Sequence, residues 1–188
     1  IHDWYEELSS KLPKEIDINK TNMWHKASKK FYDLCRTPTI LDYVEDLIGP
    51  NFFQWGGQFF SKEPRDGSVV PWHQDAQYWP LSPANAVTVW LAVFDTDEEN
   101  AAMKVVSGSH KLGKFVHKKN DAKNLVLNQE VSFDQLDETK IVSLNLKAGQ
   151  ISLHNDALLH GSDAVSYTHL RAHETLMNLV CRLLLEKT

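Results

Sequence analysis

The sequence has few cysteines and no long apolar run. Only two cysteines, Cys35 and Cys181, occur among 188 residues, too few for a disulfide framework, and this usage favours a reducing cytoplasm. The longest apolar stretch, residues 87–94, is interrupted by Thr88 and is far shorter than the roughly 20 residues that cross a bilayer. We therefore expect a cytoplasmic protein with no membrane span.

The sequence also has little clustered positive charge. Its net charge is -5, and no basic run is longer than the pairs Lys29-Lys30 and Lys118-Lys119. A nucleic-acid-binding surface needs a basic patch or stripe. We therefore predict a small-molecule substrate and no nucleic-acid partner, while the sequence leaves the oligomeric state open.

The composition is that of one ordinary globular domain, with 42% hydrophobic and 24% charged residues. A folded chain of this length buries roughly 70% of its unfolded surface, so it needs no structural metal. Because the chain opens with Ile1 and not with Met, we expect it to be a fragment.

Apolar side chains at helical spacing occupy the first 50 residues and predict three helices. The first two contain Trp4, Leu8 and Leu12, and then the stretch 24–34. The third begins at Pro38, with Thr37 as its cap, and ends at Gly49. We expect these helices to pack against a sheet.

From residue 51 onward, short apolar segments alternate with turn residues. The predicted strands cover residues 52–62, 69–75, 87–94, 103–106, 141–146 and 150–154. Residues 111–140 are polar without clear periodicity and are interpreted as a surface excursion. The pattern predicts a mainly β fold with flanking N-terminal helices, either a sandwich or a closed barrel of the jelly-roll kind.

The segment His73-Gln74-Asp75 offers an imidazole and a carboxylate two residues apart. On a strand, residues at this spacing point to the same side, so the pair predicts two ligands for one metal ion. His160 is the candidate third ligand. Two histidines and one carboxylate leave the remaining metal positions open, as in non-heme Fe(II) oxygenases.

Four sequence blocks resemble the phytanoyl-CoA dioxygenase (PhyH) family in their order and spacing. They are residues 47–50 (LIGP), 72–79 (WHQDAQYW), 87–110 (VTVWLA through SGSH) and 149–162 (GQISLH through HGS). The resemblance implies a double-stranded β-helix, which is a cupin-like jelly roll. It also implies Fe(II), 2-oxoglutarate and O2 as cofactor and cosubstrates, with hydroxylation of a small organic substrate and release of succinate and CO2.

Carried over by position, the resemblance implies that His73, Asp75 and His160 hold the iron. It further implies that Gln54, Lys62 and Trp90 line the cofactor pocket. Two other metal-site functions stay open at this point. A zinc hydrolase can use the same donor set, and a non-catalytic binding relic could retain it.

Several neighbouring residues have more than one interpretation. Tyr78 and Trp79 either wall the substrate pocket or close the core, and His110 belongs either to a turn or to the substrate site. His154 is interpreted either as a packing residue or as a residue that supports the metal ligands, and not as a ligand itself. The lysines of the surface excursion are interpreted as solvated, although they could bind a phosphate; they are Lys111, Lys114, Lys118 and Lys119.

The family usually has glycine where this sequence has Ala101. This departure means either that the turn does not need a positive φ or that the loop is rebuilt.

Residues 165–188 resemble the codon-by-codon translation of a sequencing adapter, and we interpret them as a non-native tail. The predicted domain is then residues 1–164, with helices in 1–50 and the β core in 51–164. The family's 2-oxoglutarate-binding arginine falls in the tail, where Arg171 lies near its register. We therefore expect a C-terminally truncated fold in which the strand after His160 is missing.

Overall fold

The computed structural model describes residues 2–62, 67–79, 81–82, 85–165 and 176–183. The four α-helices of this part are His2–Lys11 (α1), Trp24–Ala27 (α2), Lys29–Cys35 (α3) and Pro38–Ile48 (α4). Short 3-10 helices cover Ile18–Lys20, Asp75–Gln77, Ser109–Leu112, Phe133–Gln135 and Glu138–Lys140. None of the helices in the described ranges has the length and apolar character that crossing a membrane requires.

Two four-stranded antiparallel sheets form the body of the fold and confirm the predicted jelly roll. The first sheet has the order β1-β10-β3-β8 and the second the order β2-β9-β4-β7, while β5 and β6 form a separate hairpin. The strands are Phe52–Phe60 (β1), Val70–His73 (β2), Ala86–Ala92 (β3), Lys104–Val106 (β4), His117–Lys119 (β5), Gln129–Val131 (β6), Ile141–Ser143 (β7), Ile151–Asn155 (β8), His160–Ser162 (β9) and Leu176–Leu183 (β10).

The N-terminal helices cover the outer face of the first sheet, as the sequence predicts. Phe59 of β1 is fully buried and lies between the helices and the sheet, with its ring centroid 5.3 Å from that of Phe31. Val87, Val89 and Leu91 of β3 belong to the same apolar cluster. Because side chains alternate along a strand, the even-numbered residues of β3 face the interior between the sheets.

The helix predicted over residues 24–34 is divided in two. Ser28 has an extended backbone, with φ -126° and ψ 120°, and its hydroxyl accepts a hydrogen bond from the amide of Phe31. Ser28 therefore begins a new helix as its cap. Thr37 also differs from expectation, because its hydroxyl donates to the Leu34 carbonyl and makes no cap bond.

The prediction that the strand after His160 is missing is wrong. Strand β10 lies between β1 and β3 and pairs with both along its length. Its sequence, LMNLVCRL, is apolar enough for a central strand, and without it both neighbours would expose unpaired backbone groups. The adapter-like origin of residues 165–188 stays a prediction.

The segment 111–140 is more ordered than the predicted surface excursion. It contains the hairpin of β5 and β6, in which Lys118 pairs with Glu130. The sequence does not indicate this hairpin because its strands are three residues each and mostly polar. The four lysines of the excursion are all exposed.

Strand β1 contains a bulge that changes which side chains face the interior. Gln54 pairs with Cys181 and Gly56 with Val180, so Trp55 is the extra residue. A bulge shifts the side-chain alternation by one residue. Gly57 accordingly faces the helices, since a Cβ there would lie 2.8 Å from the ring of Phe31.

The turn at Ala101 keeps a backbone conformation that favours glycine. Ala101 has φ 66° and is buried, so the turn does require a positive φ. A left-handed conformation costs a non-glycine residue roughly 1–2 kcal/mol. The alanine therefore strains the loop without rebuilding it.

Replacing Ala101 by glycine is expected to stabilise the protein by about 1 kcal/mol, after allowing for the greater freedom of glycine in the unfolded chain. Thermal unfolding should show a Tm higher by about 2–4 °C. Ala102→Gly is the matched control, because Ala102 is equally buried but has a negative φ, and it should lower Tm. A fall of Tm in both variants would contradict the strain at Ala101.

Candidate functional site

His73 and His160 face each other across the pairing of β2 with β9. The two residues are direct partners in register, and their ring centroids are 4.1 Å apart. The register shifts between Val70 and His73, so that two residues of β2 lie opposite Gly161. This bulge brings the two imidazoles to one side of the sheet.

Asp75 joins the two histidines from just beyond β2. The strand ends at His73, and Asp75 begins a 3-10 helix, so the prediction that it lies in a strand is wrong. Gln74 between them is extended, with φ -114° and ψ 131°, which keeps the side chains of residues 73 and 75 on one side. Oδ1 of Asp75 is 3.6 Å from Nε2 of His73 and 3.8 Å from Nε2 of His160.

Backbone carbonyls orient both imidazoles. Nδ1 of His73 donates to the Pro71 carbonyl at 2.8 Å, and Nδ1 of His160 donates to the Leu158 carbonyl at 2.9 Å. Each ring therefore carries its proton on Nδ1 and presents the Nε2 lone pair. One donor atom from each of His73, Asp75 and His160 lies within 4.8 Å of the others, and all three residues are buried.

The charges at this cluster suit a cation. Burial raises the pKa of Asp75, but His160, His154 and His73 outweigh it and hold that pKa well below its usual range. Burial, and after it the neighbouring His73, lower the pKa of His160 to about 3. At neutral pH the carboxyl is thus ionised and the His160 imidazole is neutral, as metal ligands must be.

Thr88 and His154 approach the other oxygen of the same carboxylate. The Thr88 hydroxyl donates to Oδ2 of Asp75 at 2.8 Å, and Nε2 of His154 lies 3.7 Å from Oδ2. The two oxygens of Asp75 therefore face different groups. Oδ1 faces His73 and His160, and Oδ2 faces Thr88.

The cluster opens into a cavity of about 540 Å³ between the two sheets, within the range of roughly 300–1,000 Å³ typical of small-molecule sites. Four of the residues that the sequence singles out as pocket candidates line it: Lys62, Tyr78, Trp79 and Trp90. Trp90 and Lys62 are buried, and Lys62 is only 4% exposed. The Lys62 ammonium donates to the Ser162 hydroxyl at 2.6 Å and to the Asp163 carbonyl at 2.5 Å.

The other candidate residues lie elsewhere. Gln54 is not among the residues that line the cavity; its side-chain amide instead contacts His25 and Cys35 on the helix side, at 3.1 and 3.3 Å. The bulge at Trp55 explains this placement, because residues before the bulge face opposite to the expected side. His110 is exposed in a 3-10 turn away from the cavity. Arg171 lies outside the described residues.

Gln74 is a structural residue of the site that the sequence did not single out. Its side chain is 2% exposed and donates to the carbonyls of Gly113 and Ala157 at 2.9 and 2.7 Å. It also accepts from the amide of Phe115 at 2.9 Å. Gln74 thus ties the segment before the hairpin to the turn that carries Asp75, and no local pattern could have indicated such remote partners.

Comparison with known proteins agrees with this architecture. The family model for Phytanoyl-CoA dioxygenase (PhyH) matches residues 4–172. The peroxisomal phytanoyl-CoA dioxygenase of Bos taurus is 31% identical over 107 residues, which are 55% of this chain and 32% of that protein. A probable alpha-ketoglutarate-dependent hypophosphite dioxygenase of Stutzerimonas stutzeri is 28% identical over 131 residues, 69% of this chain and 46% of that protein.

A solved structure shares the same fold. The non-heme monooxygenase ThoJ in its apo form has a TM-score of 0.77 and 25% sequence identity, and the match covers 97% of this chain and 66% of that chain. The chain spans about a third to a half of the length of the two sequence relatives. Since the family model matches most of the chain and the fold agrees, this protein belongs to the phytanoyl-CoA dioxygenase family.

Proposed function

We propose that this protein is an Fe(II)- and 2-oxoglutarate-dependent dioxygenase that hydroxylates a small organic substrate. The observation that supports this proposal is the buried cluster of His73, Asp75 and His160 at the wall of the cavity. Two imidazole nitrogens and one carboxylate oxygen leave metal positions open for other ligands. We also propose a cytoplasmic location, which depends only on the low cysteine content.

The residues present fit an iron ion. The two Nε2 atoms are available because both Nδ1 atoms donate to backbone carbonyls, and Oδ1 of Asp75 supplies a negative charge. When bound, iron supplies the oxidative chemistry: O2 and 2-oxoglutarate are converted to succinate and CO2, and the substrate is hydroxylated. The protein contributes the geometry of the three ligands and a cavity large enough for a small substrate.

Lys62 and Trp90 are the proposed contacts for 2-oxoglutarate. Lys62 places a buried ammonium in the cavity lining, and a buried cation attracts a carboxylate strongly because the local dielectric constant is low. Trp90 lies on the interior face of β3, beside Met103. Its ring supplies an apolar wall that fixes the orientation of the cosubstrate.

The loop between β5 and β6, residues 120–128, is the proposed cover of the substrate. The amide of Val69 donates to the Asn124 carbonyl and the amide of Val126 donates to the Val69 carbonyl, both at 2.9 Å. Tyr78, five residues beyond His73, donates to the carbonyl of Gln129, the first residue of β6, at 3.1 Å. The loop and the strand that follows it are thus bonded to residues that precede and follow His73 in the chain, and residues 123–127 line the cavity. Its leucines and the aromatic ring of Trp79 favour a substrate with an apolar portion.

An anaerobic titration of the 188-residue protein tests the proposal. Fe(II) is added first and 2-oxoglutarate second, and the visible charge-transfer band of the iron chelate is recorded. We expect the band to appear only after both additions, and succinate to form once air is admitted.

Two other outcomes of the titration would favour a zinc hydrolase or a non-catalytic binding relic instead. Folded protein that binds a metal ion but shows neither the band nor succinate would contradict the dioxygenase. Hydrolysis of an ester with Zn²⁺ bound would then favour a hydrolase. Ligand binding without any turnover would favour a binding relic.

A further inference from the structure

The inner face of β8 carries an unusual concentration of polar atoms without partners. Among the described residues, five buried side-chain nitrogen or oxygen atoms lack a hydrogen-bond partner, and four of them belong to Ser152, His154 and Asp156. Ser152 and His154 are alternate residues of β8 and therefore lie on one face of the strand, while Asp156 follows in the turn just after it. The fifth atom is Nε1 of Trp24, which lies in the helix layer.

Unpartnered buried polar atoms cost free energy, and native structures almost always satisfy them. Ordered water usually does so where two to four polar groups converge. His154 offers two ring nitrogens and Ser152 a hydroxyl on the same face of the strand. The side chains of Ser152 and His154 are therefore suited to hold buried water.

These unpartnered side chains approach the metal cluster beside Oδ2 of Asp75, the oxygen that does not face His73 and His160. His154 is the direct cross-strand partner of Thr88, and both side chains approach Oδ2 of Asp75, at 3.7 and 2.8 Å respectively. The centroid of the His154 ring is 4.7 Å from that of His160. His154 is absent from the cavity lining, so it is not placed to touch the substrate.

We propose that His154 is a positioning residue for the metal. Thr88 holds Oδ2 of Asp75 by its direct hydrogen bond, and His154 holds the same oxygen through a buried water molecule across the 3.7 Å between them, so that Oδ1 stays the single oxygen that faces the metal. A carboxylate with a single hydrogen bond can rotate and bind a metal through either oxygen or through both. A carboxylate whose second oxygen is held by two groups cannot. The inference deepens the proposed function, but it concerns the metal site alone.

Co(II) titration of two His154 variants tests this role without any need for substrate or 2-oxoglutarate. His154→Phe keeps a planar ring and removes both nitrogens, while His154→Gln retains an amide donor near the position of Nε2. We expect His154→Phe to weaken Co(II) binding about 10–100-fold, the range for groups that orient metal ligands, and to shift the visible Co(II) bands. His154→Gln should recover affinity to within a few-fold of the wild type.

Trp24→Phe is the matched control, because it removes the other unpartnered buried N–H group, which is remote from the metal ligands. It should leave Co(II) affinity and bands unchanged. If His154→Phe binds Co(II) with wild-type affinity and bands, the positioning role is wrong. If that variant does not fold, equal affinities of His154→Gln and His154→Asn would overturn the proposal, because asparagine is too short to place a donor at Nε2. Absence of the Fe(II) and 2-oxoglutarate band in wild-type protein would instead contradict the proposed function and leave the Co(II) result standing.

Discussion

Replacing Asp75 by alanine is expected to abolish stable metal binding and to reduce succinate formation to background. Asp75 is the one carboxylate of the cluster formed with His73 and His160, and its loss leaves a site with no anionic ligand. Loss of a group that merely orients a ligand weakens metal binding roughly 10–100-fold, so loss of the anionic ligand should weaken it by more than about 100-fold. Isothermal titration with Co(II) and a succinate assay measure the two effects.

Thermal unfolding supplies a second readout for the same variant. A metal ion at 100 times its Kd stabilises the wild type by about 2.7 kcal/mol, which corresponds to roughly 5–10 °C in Tm for a chain of this length. Asp75→Ala should show no such shift. Asp42→Ala, at an exposed position on α4, is the control and should keep both the shift and the succinate. Near-normal turnover by Asp75→Ala would remove the assignment of this site.

Gly161→Ala is expected to lower both the stability and the metal affinity of the protein. A Cβ at residue 161 would lie 2.9 Å from the Val70 carbonyl oxygen and 3.3 Å from backbone atoms of Pro71 and Trp72. Because these are backbone atoms, β2 and β9 must move apart. Overpacking of this kind costs about 1–3 kcal/mol, or a fall in Tm of up to roughly 10 °C.

The same displacement should separate His73 from His160, since the two are register partners across these strands. We expect Co(II) affinity to fall at least about 10-fold. Gly149→Ala is the control: residue 149 has φ +85° but open space around it, so it should cost about 1 kcal/mol of stability and leave Co(II) affinity unchanged. Equal metal affinities in the two variants would show that the close approach at Gly161 is not needed.

The two bulges explain where the sequence interpretation succeeded and where it failed. In β1 the extra residue Trp55 reverses the alternation, so Gln54 faces the helices and not the cavity. In β2 the bulge opposite Gly161 brings His73 against His160. Strict alternation cannot anticipate either result, because one inserted residue moves all the following side chains to the other face.

Strand β10 shows a second way in which the prediction from sequence fails. The resemblance of residues 165–188 to an adapter predicts that they take no part in the fold, yet residues 176–183 pair with both β1 and β3. Pairing is decided by the backbone groups that two neighbouring strands offer and by an apolar segment that can accept them. Neither depends on where a sequence originates.

By itself the sequence determined the fold class, the N-terminal helix layer and the set of candidate ligands, because apolar periodicity and the order of the motifs are properties of nearby residues. Only the tertiary structure decided that Oδ1 of Asp75 faces two imidazoles while Oδ2 faces Thr88 and His154. It also decided that the loop 120–128 lies over the cavity. These arrangements join residues far apart in the chain, and their geometry is set by strand register, bulges and packing, which no local pattern encodes.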